Sequence, residues 1–234
     1  MIRLDKFLAQ MNIGTRSEVK NAVRKGKVTV NGKVCKNAEE KIEESTDKVC
    51  YENREIVYEK YVYYMLNKPA GVVSATKDNV DKTVMDLFSD ISGKDLFPVG
   101  RLDKDTEGLL LITNDGELAH NLLSPKKHIS KTYRVRTRDI LAKEQLEALE
   151  RGVDIGEDTI TLPAEAEQIE EKELFLTIYE GKFHQVKRML KAVGNEVIYL
   201  ERIKMGQLSL DETLPRGEFR KLTTDEVLLL KKDN

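Results

Sequence analysis

Asp103 lies in the stretch around which the rest of this sequence is arranged, and a carboxylate there has chemistry to offer. It lies in GRLDKDTEGLLLITNDG, residues 100–116, on a loop behind Gly100 and two residues after Arg101. An arginine so close to an aspartate, on a loop entering a buried strand, reads as a prepared carboxylate. The same spacing also suits a surface loop of solvated charges. Two further groups have chemistry to offer. Tyr133 sits in the alternating run Lys131–Val135 (KTYRV), where an aromatic ordinarily packs on a core. In GKFHQVKRML, residues 181–190, helical spacing puts His184, Lys187, Arg188 and Lys191 on one face and Val186, Leu190 and Val193 on the other. His120 and His128 have no Cys or carboxylate at ligand spacing, and Cys35 and Cys50 stand alone. No metal site is predicted, and the two thiols read as reduced.

The elements that must position these groups follow from periodicity. Leu109–Thr113 (LLLIT) is a short unbroken apolar run, suited to a strand buried on both faces and ended by the turn Asn114-Asp115-Gly116. Gly108 allows a close backbone approach. Tyr61–Leu66 reads as a strand, Asn67-Lys68-Pro69-Ala70-Gly71 as a tight loop, Val72–Ser74 as a further strand and Thr83–Phe88 as a short helix. Helices are predicted at Glu117–Leu123, Ala142–Arg151, Gly181–Gly194 and Thr224–Lys231. Strands are predicted at Lys131–Val135, Ala164–Ile169, Leu174–Glu180 and Val197–Ile203.

The N-terminal segment is built differently. Leu4, Phe7, Leu8 and Met11 recur at helical spacing until Asn12-Ile13-Gly14 interrupts them. Thr15-Arg16-Ser17-Glu18 has the form of a capping box for a second helix that stops at Gly26. The Asn31-Gly32 turn predicts a hairpin. Val49–Tyr51 and Ile56–Tyr58 are strand candidates before a linker that ends near residue 60. Residues 1–36 hold nine Lys and Arg against Asp5 and Glu18, a net +7 that leaves −9 for the other 198 residues of a chain whose overall charge is −2. A basic module on an acidic body is the footprint of a nucleic-acid grip. Arg3, Lys6, Arg16, Ser17, Lys20, Arg24 and Lys27 are its candidate RNA-binding residues. No long apolar stretch and no charged apolar leader is read in the 234 residues, so a soluble, cytoplasmic protein is expected, with nothing that requires more than a monomer.

GRLDKDTEGLLLITNDG resembles, nearly letter for letter, the signature of the pseudouridine synthases of the ribosomal small-subunit type. NKPAG, SKTYRV and FHQVKRMLKAVGNEV are similar to further blocks of that family, and IRLDKFLA with TRSEVKNAVRKGKVTVNGK resembles the S4 RNA-binding domain. The resemblance implies an α+β protein. Residues 1–59 would be an S4-like domain and linker, and residues 60–234 a catalytic domain on a mixed, mainly antiparallel sheet with flanking helices.

The implied reaction is isomerisation of uridine to pseudouridine in 16S rRNA, at the uridine-516-type site, without cofactor. Asp103 would be the catalytic aspartate, by covalent attack or by charge stabilisation. Lys187 would keep Asp103 ionised and oriented, and Tyr133 would stack on the uracil and move a proton. Leu200 would pack against the uracil, with Arg101, His184, Gln185 and Arg188 as further substrate-binding residues. The partner would be 16S rRNA in the small ribosomal subunit or its assembly intermediate. The alternatives are the large-subunit branch acting on 23S rRNA and a non-catalytic RNA-binding assembly factor.

Overall fold

The computed structural model describes residues 1–11, 13–44, 46–56, 59–89, 91 and 95–232. The chain divides into two compact units, Met1–Val62 with Phe88–Asp95, and Tyr63–Leu87 with Leu96–Asn234.

In the first unit, β1 (Ile2–Arg3), α1 (Leu4–Gln10) and α2 (Arg16–Arg24) are followed by β2 (Val28–Val30), β3 (Lys33–Val34), β4 (Lys41–Ile42), β5 (Val49–Tyr51) and β6 (Arg54–Glu55). The first helix begins at Leu4, because Ile2 and Arg3 pair with Ile42 and Lys41. The second is capped as its sequence requires: the Thr15 hydroxyl accepts from the Glu18 N–H, and the Glu18 carboxylate accepts from the Thr15 N–H at 2.8 Å. Asn31 and Gly32, both at positive φ, turn β2 into β3. Leu4, Phe7, Leu8, Val19, Val23 and Val28 close the core. Of the predicted strand Ile56–Tyr58, Val57 and Tyr58 lie outside the described residues, and Ile56 is not in a strand.

The second unit contains β7 (Tyr63–Lys68), β8 (Phe97–Val99), β9 (Glu107–Thr113), α3 (Gly116–Leu123), β10 (Lys131–Thr137), α4 (Lys143–Arg151), β11 (Glu165–Glu170), β12 (Glu173–Ile178), α5 (Gln185–Ala192), β13 (Val197–Met205), β14 (Leu208–Ser209), β15 (Phe219–Lys221) and α6 (Thr224–Lys232). Nine strands form one mixed sheet in the order β11-β12-β10-β13-β9-β7-β15, with β14 on β13 and β8 on β9. Among the described residues of this sheet only β13 and β9 pair in parallel, through Glu201–Glu107 and Arg202–Gly108. The approach is so close that a Cβ on Gly108 would stand 2.3 Å from the Arg202 carbonyl oxygen. Leu109 and Leu111 bury one face of β9 with Met65, Leu118, Leu122 and Leu230, and Leu110 and Ile112 are equally buried on the other.

Three predicted elements differ. Asn67 and Lys68, read as the start of a tight loop, continue β7. Val72–Ser74 is not a strand; Val73 makes one isolated bridge to Thr83, and the Ser74 hydroxyl bonds the Leu102 backbone instead. The helix predicted from Gly181 starts only at Gln185, because His184 takes left-handed dihedrals (φ 48°, ψ 35°) that no helix contains.

Candidate active site

The loop between β8 and β9 is fixed from beneath. Gly100, at φ 80°, turns the chain so that Leu102 points into the core. The buried Ser74 hydroxyl accepts from the Leu102 N–H at 3.0 Å and donates to its carbonyl at 2.9 Å. Lys68, the last residue of β7, is 0% exposed. Its ammonium donates to the carbonyl oxygens of Thr106 (2.8 Å), Asp103 (3.0 Å), Pro69 (3.1 Å) and Lys104 (3.4 Å). Burial pushes this amine down to about 8, against the opposing pull of Asp105, Glu107 and Asp103. The Asp103 main chain is therefore wrapped around a buried cation. Its side chain, 26% exposed, is left facing outward.

The Asp103 carboxylate meets the start of α5. Lys187 Nζ stands 3.2 Å from Asp103 Oδ2 and 2.5 Å from Asp105 Oδ1, and His184 Nε2 is 3.5 Å from Asp103 Oδ1. Burial alone would lower the Lys187 pKa, but the bond to Asp105 and the charge of Asp103 outweigh it and hold it above its ordinary value. Asp105 is held low in the same way: its bond to Lys187 outweighs a partial desolvation that would raise it. The Asp103–Lys187 pairing expected from the family blocks is thus present in space, across 84 residues of chain.

Tyr133 and Leu200 lie deeper and are nearly buried. Tyr133 pairs with Arg202, which pairs with Gly108, so the three form a lateral row across β10, β13 and β9. Two strand spacings separate Tyr133 from Gly108, roughly 10 Å, and Gly108 is five residues beyond Asp103. Leu200 faces the same side of the sheet as Arg202 and Tyr133.

Arg101 is exposed on the loop. Gln185 and Arg188 are engaged by the protein itself. Gln185, 4% exposed, accepts from the Lys182 N–H and donates to Glu180, each at 2.9 Å. The Arg188 guanidinium bonds Glu157 (2.6 Å), the Phe183 carbonyl (3.0 Å) and the Ile155 carbonyl.

Two supporting residues are not singled out by the sequence. Lys68 reads as part of an ordinary turn, although a lysine two residues after the apolar run YVYYML is the available sign. Arg216 joins Glu201 (2.8 Å), Tyr199 (3.1 Å), Glu107 (3.2 Å) and Asn67. It braces β7, β9 and β13 where the Asp103 loop enters the sheet. Burial and the Glu201 charge push Tyr199 up to about 12. Nothing local in LPRGEFR announced that role, since its partners lie 15 to 149 residues away.

In the first unit Lys6, Arg16, Ser17 and Arg24 are exposed. Arg3 bonds Asp5 and Glu39, each at 2.8 Å, Lys20 approaches Asp5 at 3.9 Å, and Lys27 bonds Glu52 at 2.6 Å. Among the described residues no three His, Cys, Asp or Glu side chains are grouped to hold a metal ion, and no helix is long and apolar enough to cross a membrane.

The RNA pseudouridylate synthase family matches residues 62–192 and the S4 domain matches residues 2–48. The chain is 48% identical to the uncharacterized RNA pseudouridine synthase YtzG of Bacillus subtilis, over 98% of each chain. It is 46% identical to ribosomal small subunit pseudouridine synthase A of Vibrio cholerae, over 97% of this chain and 98% of that one. With the Escherichia coli protein of that name the identity is 40%, at the same coverage. A crystal structure of a pseudouridylate synthase superposes with a TM-score of 0.69 at 39% identity, covering 98% of this chain and 100% of that chain.

Proposed function

This chain belongs to the RNA pseudouridylate synthase family, and from that premise we propose that it converts one uridine of small-subunit (16S) rRNA, the uridine-516-type site, to pseudouridine. The observation that carries the reading is the Asp103–Lys187 pair at 3.2 Å, on a loop clamped by a buried ammonium.

The reaction breaks the bond from ribose C1′ to uracil N1 and makes one from C1′ to C5. The C5 hydrogen leaves as a proton and N1 gains one, so nothing is oxidised. Asp103 acts at C1′, by attack or by stabilising its positive charge. Lys187 holds the carboxylate in place, and Tyr133, with Leu200 beside it, receives the ring and moves the proton from C5. Extruding the nucleotide costs a few kcal/mol. Arg101 and the basic face of residues 1–59 offset it through phosphate contacts, residues 60–234 being the catalytic domain. The protein acts as a cytoplasmic monomer on 16S rRNA, free or in an assembling subunit.

Pseudouridine mapping of 16S and 23S rRNA by carbodiimide labelling and primer extension, in cells with and without the gene, tests this reading. One site lost from 16S rRNA is the expected result. A site lost from 23S rRNA overturns the substrate, and no lost site favours a non-catalytic assembly factor.

A further inference from the structure

Beside the Asp103 carboxylate the protein displays an aromatic ring with no core to enter. Phe183 is 70% exposed. Its ring lies on that of His184, centroids 3.8 Å apart and planes 19° from parallel. His184 is in turn the residue whose Nε2 stands 3.5 Å from Asp103. One face of the Phe183 ring is therefore covered by the active-site histidine, and the other is open.

A single exposed phenylalanine is common on protein surfaces. This one is distinguished by how firmly its backbone is fixed. The Phe183 carbonyl accepts from Arg188, whose guanidinium is anchored on Glu157 and the Ile155 carbonyl. The preceding residue, Lys182, is tied through its N–H to the buried Gln185 amide. His184 is held at φ 48°, a left-handed conformation that few residues other than glycine adopt. Gln185 and Arg188 thus build the corner that presents the ring pair, and α5 begins immediately behind it.

We propose that Phe183, backed by His184, is a stacking platform for a nucleobase flanking the target uridine of the substrate RNA. Every base has a π-face, and a fixed aromatic surface receives it without reading its edge. The platform lies one ring away from Asp103, so the base it takes neighbours the reacting nucleotide and does not replace it. Stacking there stabilises the strand in its opened form, the form in which a uridine has left the helix. The inference rests on the proposed function, since it requires an RNA substrate at Asp103.

The test uses the full chain with Phe183→Leu, which keeps apolar bulk and removes the π-face, and Phe183→Trp, which keeps the face. Turnover is followed by tritium release from a 16S rRNA transcript carrying [5-³H]uridine. Stacking is read by the quenching of 2-aminopurine placed on either side of the modified uridine. Phe183→Leu is expected to raise KM about ten-fold, within the range that loss of one base–aromatic stack gives, with a smaller effect on kcat. It should also lose the quenching at one flanking position, and Phe183→Trp should retain both properties. Active wild-type protein matched by Phe183→Leu in KM and quenching overturns the platform alone. Wild-type protein that converts no uridine in any rRNA overturns the proposed function and the platform with it.

Discussion

Lys68 Nζ lies 3.0 Å from the main-chain oxygen of Asp103, while Lys187 Nζ lies 3.2 Å from its carboxylate. One aspartate is thereby gripped by two lysines at opposite ends, the first fully buried and the second at the surface of the site. The buried lysine sets where the loop is, and the half-exposed one sets where the carboxylate points.

Lys68→Met removes the donor and leaves the loop carbonyls buried without it. A stability loss of ~3 kcal/mol and a fall in kcat of about ten-fold or more are expected from urea unfolding and tritium release. Wild-type activity in this variant would show that the loop holds itself.

The same ammonium predicts a pH signature. Lys68 titrates at about 8 in the folded protein against 10.5 ordinarily, so between those values the unfolded chain binds more protons. By linkage the contribution of this group to stability increases as pH rises through that window. The clamp, however, needs the charge. Activity is expected to fall above pH 8 while the urea midpoint does not fall on account of this group. Lys131, also lowered to about 8 by burial, provides the control: Lys131→Met should keep the activity limb, and Lys68→Met should lose it.

Asp103→Asn should reduce turnover by about a thousand-fold or more and leave RNA affinity within a few-fold, measured by filter binding. Retained isomerisation would sink the assignment of Asp103.

Lys187→Met should lower kcat about a hundred-fold, the scale seen when a preorganised charge partner is lost, and Lys187→Arg should restore part of it. An equal loss in both variants would point to packing as the role of Lys187.

Exposed and ion-paired cations of the first unit should behave differently. Replacing Lys6, Arg16 and Arg24 by alanine is expected to weaken RNA binding and to flatten the slope of log K against log salt by about two. Replacing Arg3 and Lys27, which already pair with carboxylates, should change the slope less. Equal slopes in the two triple and double variants would reject the assignment.

The elements legible in the sequence were those whose signal is local. The Thr15–Glu18 box, the Asn31-Gly32 turn and the buried run of β9 are each specified within a few residues. The proximity of Asp103 and Lys187 is implied by long motif resemblance and not by spacing. What stayed hidden depends on distant partners. Phe97–Val99 becomes a strand because β9 offers an edge. Val72–Ser74 fails to become one because Ser74 serves Leu102. Lys68 and Arg216 act only once loops and strands from elsewhere close around them.

The parallel ladder of β13 on β9 carries a last consequence. It has only two residue pairs, and it joins an antiparallel half bearing Tyr133 and Leu200 to one that leads into the Asp103 loop. The separation of Tyr133 and Leu200 from the Asp103 loop is therefore gauged at a single seam. Gly108 is the spacer in that seam: any side chain there collides with the Arg202 carbonyl and forces the halves apart. The spacing of the two halves is written in an atom that is missing, the Cβ of residue 108.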